Sequence, residues 1–210
     1  MRKAVIILKR KGLSLIIFGR WQNNSHVKMM NLQTQRLHLR PISHQDLQAV
    51  HELHSLPEVD EFNTLGIPET IEETKSIVDQ WILSSEEQPT RRFTFAVELK
   101  ESNQFIGLIG INLGKEKYRN AEVWFKLHPN FWNRGFATEA LKRLLTFGFE
   151  DLKLHRIEAG CAVGNLGSVS VLEKAGMKRE AHTRELLPLK SGWSDNYGYA
   201  ILEGDLNNYL

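Results

Sequence analysis

The sequence predicts a single α/β (α+β) domain with a mixed, mostly antiparallel sheet flanked by helices. Its 210 residues suit one domain with a sizeable buried core. The hydrophobic content of 41% and the charged content of 25% are typical of a soluble globular protein. Apolar residues first recur at helical spacing, then alternate as in neighbouring strands, and finally follow a strand–helix–strand order, which indicates a mixed sheet.

The first 29 residues are predicted to form a basic N-terminal extension outside a core domain of residues 30–210. Their apolar stretches, "AVIIL" and "LSLIIF", are divided by "KRKG", so neither approaches the roughly 20 residues of a membrane span. A secretory signal would also need a continuous apolar core and a convincing cleavage site. An Arg-rich start without acidic residues vaguely resembles a transit peptide, which leaves that alternative open.

The net charge of +2 hides an asymmetry. Of the 27 Lys and Arg residues, seven lie in residues 1–30, where there is no Asp or Glu, so the remainder holds 20 basic and 25 acidic residues, a balance of −5. An acidic body argues against a nucleic-acid partner, because phosphate neutralisation needs a basic stripe. It is compatible with a cationic substrate, although a solvated acidic surface is the commoner meaning.

Cys161 is the only cysteine, so no intrachain disulfide can form and nothing indicates an oxidising compartment. We therefore expect a cytoplasmic protein. The cysteine falls in the alternating stretch "HRIEAGCAV", and no histidine is obviously paired with it. This pattern favours a buried structural thiol over a catalytic one.

In the first half of the domain, one strand is followed by two helices. "TQRLHLRPI" alternates Leu37 and Leu39 with polar residues and meets Pro41, which predicts a strand that ends there. The capping-box pattern "SHQD" at 43–46 precedes apolar residues at helical spacing, and "TIEE" at 70–73 repeats that signal. The helix-face residues after the two caps are Leu47, Val50 and Leu53, then Ile71, Thr74, Val78, Trp81 and Ile82.

The second half of the domain alternates between strands and helices. Residues 93–99 and 105–111 alternate on either side of the turn "KESN", which predicts a hairpin. "AEVWFKL" at 121–127 predicts a further strand, and an amphipathic helix is expected from Thr138 to about Phe149. "HRIEAGCAV" predicts another strand, "SVSVLEKAG" a short helix stopped by a glycine, and "YGYAIL" a last strand.

Gly135, in "FWNRGFATEAL" at 131–141, stands where a predicted strand is followed by a predicted helix. Free backbone N–H groups and the positive end of the helix dipole converge at such a joint. A residue without Cβ lets several N–H groups point into one concavity, where a pyrophosphate would fit with Arg134 as a counter-charge. A lone glycine there can also be a simple turn. The loop is neither a Walker loop nor a Rossmann fingerprint.

The stretches "FWNRGFATEAL" and "HRIEAGCAVGNLGSVSVLEKAGM" resemble the GNAT acetyltransferases, in particular the branch with the ribosomal-protein-alanine N-acetyltransferases RimJ and RimL. The superfamily's (Arg/Gln)-x-x-Gly-x-(Gly/Ala) loop for acetyl-coenzyme A corresponds here to residues 132–137. Trp132 departs from the general pattern but is common within this branch. The Asn-x-x-Ser of Asn165 and Ser168 is a second mark. The resemblance extends from "LQTQRLHLRP" to "YGYAIL", nearly all of the body.

The resemblance implies a single GNAT-type domain whose splayed central strands form the cleft for acetyl-CoA. It implies acetyl-CoA-dependent transfer to a primary amine, foremost a protein or peptide N-terminal α-amine, by direct attack in a ternary complex. The alternatives are a small-molecule acceptor (polyamine, amino acid or antibiotic) and a non-catalytic CoA-binding module. Neither a metal nor a nucleic-acid or membrane partner is implied, and the protein is expected to be a monomer or homodimer.

The resemblance also implies which residues contact the cofactor. Backbone groups of the strand before the loop would bind the pantetheine arm, one strand N–H would stabilise the oxyanion, and the loop amides would bind the pyrophosphate. Asn165 matches the family residue that contacts the pantetheine arm. The expected cofactor-binding residues are Phe125, Lys126, Leu127, Trp132, Asn133, Arg134, Gly135, Phe136, Ala137, Thr138, Asn165 and Ser168.

Catalysis needs a base, because the acceptor ammonium must lose a proton before it attacks. Glu122, on the cofactor strand, is the first candidate, although a solvated or salt-bridged carboxylate would fit the same pattern. Ser168 resembles the residue proposed to protonate the leaving thiolate, with a helix cap as its alternative role. Tyr197 and Tyr199 are alternative acids, for which packing is the competing interpretation. Glu139, in the first helical turn, is interpreted as structural.

Phe62, Trp193 and Asp195 are the candidate acceptor-binding residues. Phe62 falls in the loop after the first helix, and "SGWSDNYGYAIL" resembles the branch's Trp-x-Asp element near the last strand. Packing in the core or on the surface is the alternative for each of them. The histidines of the sequence do not cluster at metal-ligand spacing.

Overall fold

The computed structural model describes residues 31–208, so the predicted N-terminal extension lies outside the described residues. One eight-stranded sheet runs through the domain in the order β1-β2-β3-β4-β5-β6-β8-β7. The strands are β1 (Leu32–Gln33), β2 (Leu37–Pro41), β3 (Arg92–Leu99), β4 (Phe105–Leu113), β5 (Asn120–Leu127), β6 (Arg156–Ala162), β7 (Lys178–Leu189) and β8 (Gly192–Leu202).

Helices cover both faces of this sheet. They are α1 (Leu47–His54), α2 (Pro57–Asp60), α3 (Ile71–Glu86), α4 (Phe136–Thr146) and α5 (Leu166–Lys174). A π-helical turn, Phe147–Asp151, continues α4. None of the helices described is long and apolar enough to cross a membrane.

The sheet is mixed and mostly antiparallel, as the sequence predicts. Each neighbouring pair of described strands is antiparallel except β5 and β6, which are parallel. These two strands pair only over residues 120–122 and 156–158, although both continue for several residues beyond. The central strands therefore separate after Glu122, which matches the expected splay and frees one backbone edge of β5.

Two hydrophobic clusters hold the helices on the sheet. Val123 of β5 belongs to the larger cluster, which includes the buried residues of α4 and Leu172 of α5. Trp124, the next residue, packs instead on the smaller cluster beneath α1 and α3. This alternation follows from the period of two in a strand. Each fully buried aliphatic side chain in these clusters contributes about 1.5–3 kcal/mol.

The helix starts follow the predicted capping signals. Thr70 accepts the N–H of Glu73 at 3.3 Å and so begins α3. In the "SHQD" box, the Asp46 carboxylate accepts the backbone N–H of Ser43 at 2.8 Å, and a short 3-10 turn leads into α1. Such caps satisfy N–H groups that have no partner within the helix.

Most predicted elements are confirmed, with three additions and several shifted boundaries, among them the start of β8 at Gly192 instead of residue 197. The strands β1 and β7 and the helix α2 were not predicted. Helix α4 begins at Phe136, ahead of the predicted Thr138, because Gly135 is its N-cap with φ of 77°. A glycine adopts this left-handed conformation without steric cost.

We expect a chain that begins at Met30 to keep its melting temperature and its activity. Leu32 is fully buried against the core from the short strand β1, which pairs with β2, and this chain retains it. Thermal melts of the two forms test the prediction. A large drop in melting temperature would show instead that the extension packs on the domain.

Candidate active site

The loop between β5 and α4 presents a row of unpaired backbone donors. Within residues 31–208, no acceptor receives a hydrogen bond from the amides of residues 133–138, and Glu139 is the first to donate, to the Gly135 carbonyl at 3.0 Å. Asn133 and Gly135 both have positive φ, 57° and 77°, which turns the chain sharply here. These N–H groups stand at the positive end of the α4 dipole, so the loop suits an anion.

Trp132 fastens this loop to β5. Its indole N–H donates to the backbone carbonyl of Leu127 at 2.7 Å. One of the main-chain groups expected to contact the pantetheine arm is therefore already engaged. The tryptophan in the first position of the family motif has a structural task here, because it holds the loop against the strand that precedes it.

Glu139, in the first turn of α4, accepts hydrogen bonds from two residues near the N-terminal end of the domain, Thr34 and Arg36. Its Oε1 accepts the Thr34 hydroxyl at 2.6 Å, and its Oε2 accepts Nε of Arg36 at 2.6 Å. Burial raises the pKa of Glu139, but the hydrogen bonds from Thr34 and Arg36 outweigh it and hold the pKa below its usual value. These contacts agree with the structural interpretation of this carboxylate.

Glu122 is exposed and lies opposite Glu158 at the last parallel pair before β5 and β6 separate. Glu158 accepts Nε of Arg156 at 2.8 Å, and Arg156 also pairs with Glu180 at 2.6 Å. No such partner for the Glu122 carboxylate lies within the described part of the chain. Glu122 therefore keeps both carboxylate oxygens available at the point where β5 and β6 begin to separate, which we call the opening.

An aromatic wall stands beside Glu122 on the same face of the sheet. Trp124 stacks on Trp81 of α3 with ring centroids 5.6 Å apart, and His54 meets Trp81 edge-on at 6.0 Å. Trp124 lies flat on Gly110 of β4, where a β-carbon would come within 2.5 Å of the indole ring. Glycine at this position therefore sets how closely the wall approaches the sheet.

Three polar side-chain atoms are buried near this wall. Nε2 of His54, Oδ1 of Asp60 and Nζ of Lys126 are buried, and none has a hydrogen-bond partner among the residues described. Burial lowers the pKa of His54 to about 3, with a further contribution from Lys126. Burial likewise lowers the pKa of Lys126 to about 8, although Asp60 acts in the opposite direction.

Asn165 and Ser168 lie together at the start of α5. Asn165 is the N-cap: its side-chain oxygen accepts the backbone N–H of Ser168 at 3.0 Å. The cap is thus Asn165 and not Ser168, whose hydroxyl takes no part in that bond. Tyr199 is buried and donates to Glu173 at 3.2 Å, and burial raises its pKa to about 12. Those contacts fit the packing interpretation of Tyr199.

The candidate acceptor residues fall into two groups. The Phe62 ring lies at the end of β6, where a β-carbon on Gly164 would be 3.1 Å from it, so Phe62 is close to Asn165 in the fold. Trp193 is 68% exposed on the β7–β8 hairpin. The Asp195 carboxylate accepts the Glu185 N–H at 2.9 Å and pairs with His182 at 2.6 Å; these bonds lower its pKa.

The structure bears on two further kinds of site among the residues described, a thiol nucleophile at Cys161 and a metal site. Burial raises the pKa of Cys161 to about 11, with a further contribution from Glu173, so the thiol stays protonated at neutral pH. Across residues 31–208, no group of three or more His, Cys, Asp or Glu side chains could hold a metal ion.

A cavity of about 300 Å³ lies between α2, Ile67 and the β7–β8 turn, with Asp60 in its lining.

Several residues of this region were missed by the sequence reasoning. Arg36, His54 and Asp60 carried no motif of their own, and each reaches the site through contacts distant in sequence. The signal for Arg36 was present in the quoted stretch "TQRLHLRPI", but only as part of a strand pattern. No local signal indicates the other two.

Comparisons with known proteins agree with this geometry. A family model for an acetyltransferase (GNAT) domain matches residues 36–178. An uncharacterized N-acetyltransferase of Bacillus subtilis, YnaD, is 34% identical over 180 residues, which cover 85% of this chain and all of that protein.

Two solved structures share the fold. Spermidine N-acetyltransferase of Vibrio cholerae, in complex with CoA and spermine, has a TM-score of 0.74 and 24% identity and covers 83% of this chain and 100% of its own. RimL, a ribosomal L7/L12 alpha-N-protein acetyltransferase in complex with coenzyme A, has a TM-score of 0.75 and 19% identity, with coverages of 82% and 98%. With the family match and the relative from B. subtilis, they lead to one conclusion: this chain belongs to the GNAT acetyltransferase family and is an N-acetyltransferase.

Proposed function

We propose that the protein transfers the acetyl group of acetyl-CoA to a primary amine bound in the opening between β5 and β6. One observation carries the proposal: the unpaired amides of residues 133–138 follow, after one 3-10 turn, the strand whose edge is freed by the separation. A pyrophosphate on those amides lets the pantetheine arm run along the free edge of β5 like an added strand. The thioester then reaches the opening where Glu122 is exposed.

Each proposed residue has one chemical task. Glu122 accepts a proton from the acceptor ammonium, directly or through a water, which frees the nitrogen lone pair. The nitrogen bonds to the thioester carbonyl carbon, and an N–H on the free edge of β5 donates to the oxyanion that forms. When the carbon–sulfur bond breaks, the electron pair leaves with the sulfur. The Ser168 hydroxyl is the proposed proton donor to that thiolate, and it regains a proton from the acetylated nitrogen, which loses its second proton as the neutral amide forms.

A protein or peptide N-terminal α-amine is the proposed acceptor. Its pKa is about 7.7–8.0, so one exposed carboxylate suffices to complete its deprotonation near neutral pH. The aromatic wall of Trp124 and Trp81 stands on the same face of the sheet as Glu122, and an apolar surface there suits the side chain of a first residue. The solved RimL, a ribosomal L7/L12 alpha-N-protein acetyltransferase, supports this class at the level of the fold.

A polyamine is the second candidate acceptor. The chain after residue 30 carries an excess of acidic residues, which favours a cationic substrate. The fold is also shared with the Vibrio cholerae spermidine N-acetyltransferase.

A coenzyme A-release assay across N-terminal peptides, polyamines and amino acids tests the proposal. Mass spectrometry of the products then locates the added acetyl group. We expect peptides to be acetylated on the α-amine with a higher kcat/KM than spermidine. The reverse order would favour the polyamine. Coenzyme A binding without turnover on any amine would indicate a non-catalytic module.

Asn165→Asp is expected to raise the KM for acetyl-CoA about tenfold at an unchanged melting temperature. The aspartate keeps the oxygen that caps α5, whereas the amide donor proposed for the pantetheine arm is lost. Asn165→Ala removes both groups and should also destabilise the fold, by about 1 kcal/mol. Thermal melts and acetyl-CoA titrations separate the two effects. An unchanged KM in Asn165→Asp would leave Asn165 as a helix cap alone.

A further inference from the structure

Arg36 contacts the proposed coenzyme-binding loop, although it precedes that loop by about a hundred positions in the sequence. Its Nη1 donates to the backbone carbonyl of Arg134 at 3.1 Å, and its Nε pairs with Glu139 at 2.6 Å. Its guanidinium carbon is 4.4 Å from the centroid of the Phe136 ring. The guanidinium therefore contacts the loop, the first turn of α4 and an aromatic face at once.

The carboxylate of Glu139 is held in return. Its Oε1 accepts both the Thr34 hydroxyl and the backbone N–H of Arg36, at 2.6 and 2.9 Å. An unpaired carboxylate in the first turn of α4 would compete with a bound anion for the same helix end. Its pairing with Arg36 neutralises that charge and leaves Nη2 of the guanidinium beside the loop.

One nitrogen of this guanidinium remains available. None of the described residues accepts a hydrogen bond from Nη2 of Arg36. This atom lies 3.5 Å from the position that a β-carbon would occupy on Gly135, in the middle of the unpaired amides. A guanidinium held at two nitrogens and stacked on a ring has little rotational freedom left to lose when the third nitrogen binds.

We infer that Arg36 is a further coenzyme-binding residue, whose Nη2 donates to a phosphate group of the coenzyme beside Gly135, with Glu139 and Thr34 as positioning residues. The inference rests on the proposed function, since it needs a coenzyme on this loop. Arginine is suited to this task because its planar fork binds its carboxylate partner and a phosphate oxygen at the same time. Lysine has a single nitrogen and cannot make all of these contacts.

The test is a calorimetric titration of wild type and Arg36→Lys with coenzyme A and with dephospho-coenzyme A. We expect the variant to bind coenzyme A about 10- to 100-fold more weakly, the loss of one hydrogen bond between charged groups. An equal loss with both ligands assigns the contact to the pyrophosphate. A loss with coenzyme A alone assigns it to the 3′-phosphate, and either result supports the inference.

A second measurement separates binding from folding. S-acetylpantetheine, an acyl donor without phosphate, should react with an unchanged kcat/KM in Arg36→Lys. Arg40→Lys is the matched control, since Arg40 pairs with Asp46 and Glu98 and does not contact the loop. Arg40→Lys should lower the melting temperature without lowering the affinity for coenzyme A.

Two results would overturn the inference. The first is an unchanged affinity for coenzyme A in a folded Arg36→Lys protein. The second is an equal loss of activity with S-acetylpantetheine, which would indicate a general distortion of the site. A wild-type protein that binds no coenzyme A would contradict the proposed function itself and is seen before any variant is made.

Discussion

Gly135→Val is expected to abolish binding of coenzyme A in a protein that still folds. Gly135 has φ of 77°, a conformation that a β-branched residue adopts only under strain of about 1–3 kcal/mol. The space beside it is open, because an added β-carbon would meet only Arg36 Nη2 at 3.5 Å. The effect therefore comes through the backbone: the loop relaxes to negative φ and its amides no longer converge.

Gly66→Val is the matched control for this prediction. Gly66 has φ of 79° and no atom within 4 Å of an added β-carbon, and it lies outside the loop. It should lose a similar amount of stability and still bind coenzyme A in calorimetric titration. Unchanged affinity for coenzyme A in a folded Gly135→Val protein would show that Gly135 only forms a turn and is not needed for binding.

Glu122→Gln is expected to lower the turnover rate roughly 10²–10⁴-fold, the usual contribution of a positioned general base. The amide keeps the shape of the side chain but cannot accept the proton. Affinity for acetyl-CoA should barely change, because Glu122 is not among the residues proposed to contact the cofactor. The rate of the variant should rise between about pH 7 and 9, since more of an α-amine is then already neutral.

Glu158→Gln is the control for that substitution. Glu158 lies directly opposite Glu122 across the parallel pair, but Arg156 already binds its carboxylate. It should cost stability with little loss of turnover. Full turnover of Glu122→Gln at neutral pH would remove Glu122 from the mechanism. The base would then have to be an ordered water or a carboxylate on the acceptor side, such as Asp195. The water is the better candidate, because Asp195 is engaged by His182 and Glu185.

The strands that alternate strongly in sequence were predictable because one or both of their faces are buried. Phe93, Phe95 and Val97 of β3 are buried and recur at every second position. β7 was missed for the opposite reason. Nearly all its residues are exposed at the edge of the sheet, so "KREAHTRELLPL" carries no hydrophobic alternation. β1 and α2 are too short to show a period.

The candidate site divides in the same way. The loop at Gly135 could be predicted because a strand, a glycine and a helix follow one another in sequence. The pairing of Arg36 with Glu139 could not, because it joins residues 103 positions apart and depends on where β2 lies beside α4. Lys126 is predicted to act through its backbone; that its side chain is buried near Asp60 could not be predicted, because the two residues are far apart in sequence.

The central claim is that the loop amides of residues 133–138 bind the pyrophosphate of the coenzyme. Titration of the ¹⁵N-labelled protein with coenzyme A, followed by amide chemical shifts and exchange rates, tests it residue by residue. We expect these amide signals to move, and their exchange with solvent to slow as they gain acceptors. Heat of binding with unmoved signals in the loop would show that the coenzyme binds elsewhere, and would contradict the assignment of the pyrophosphate to these amides.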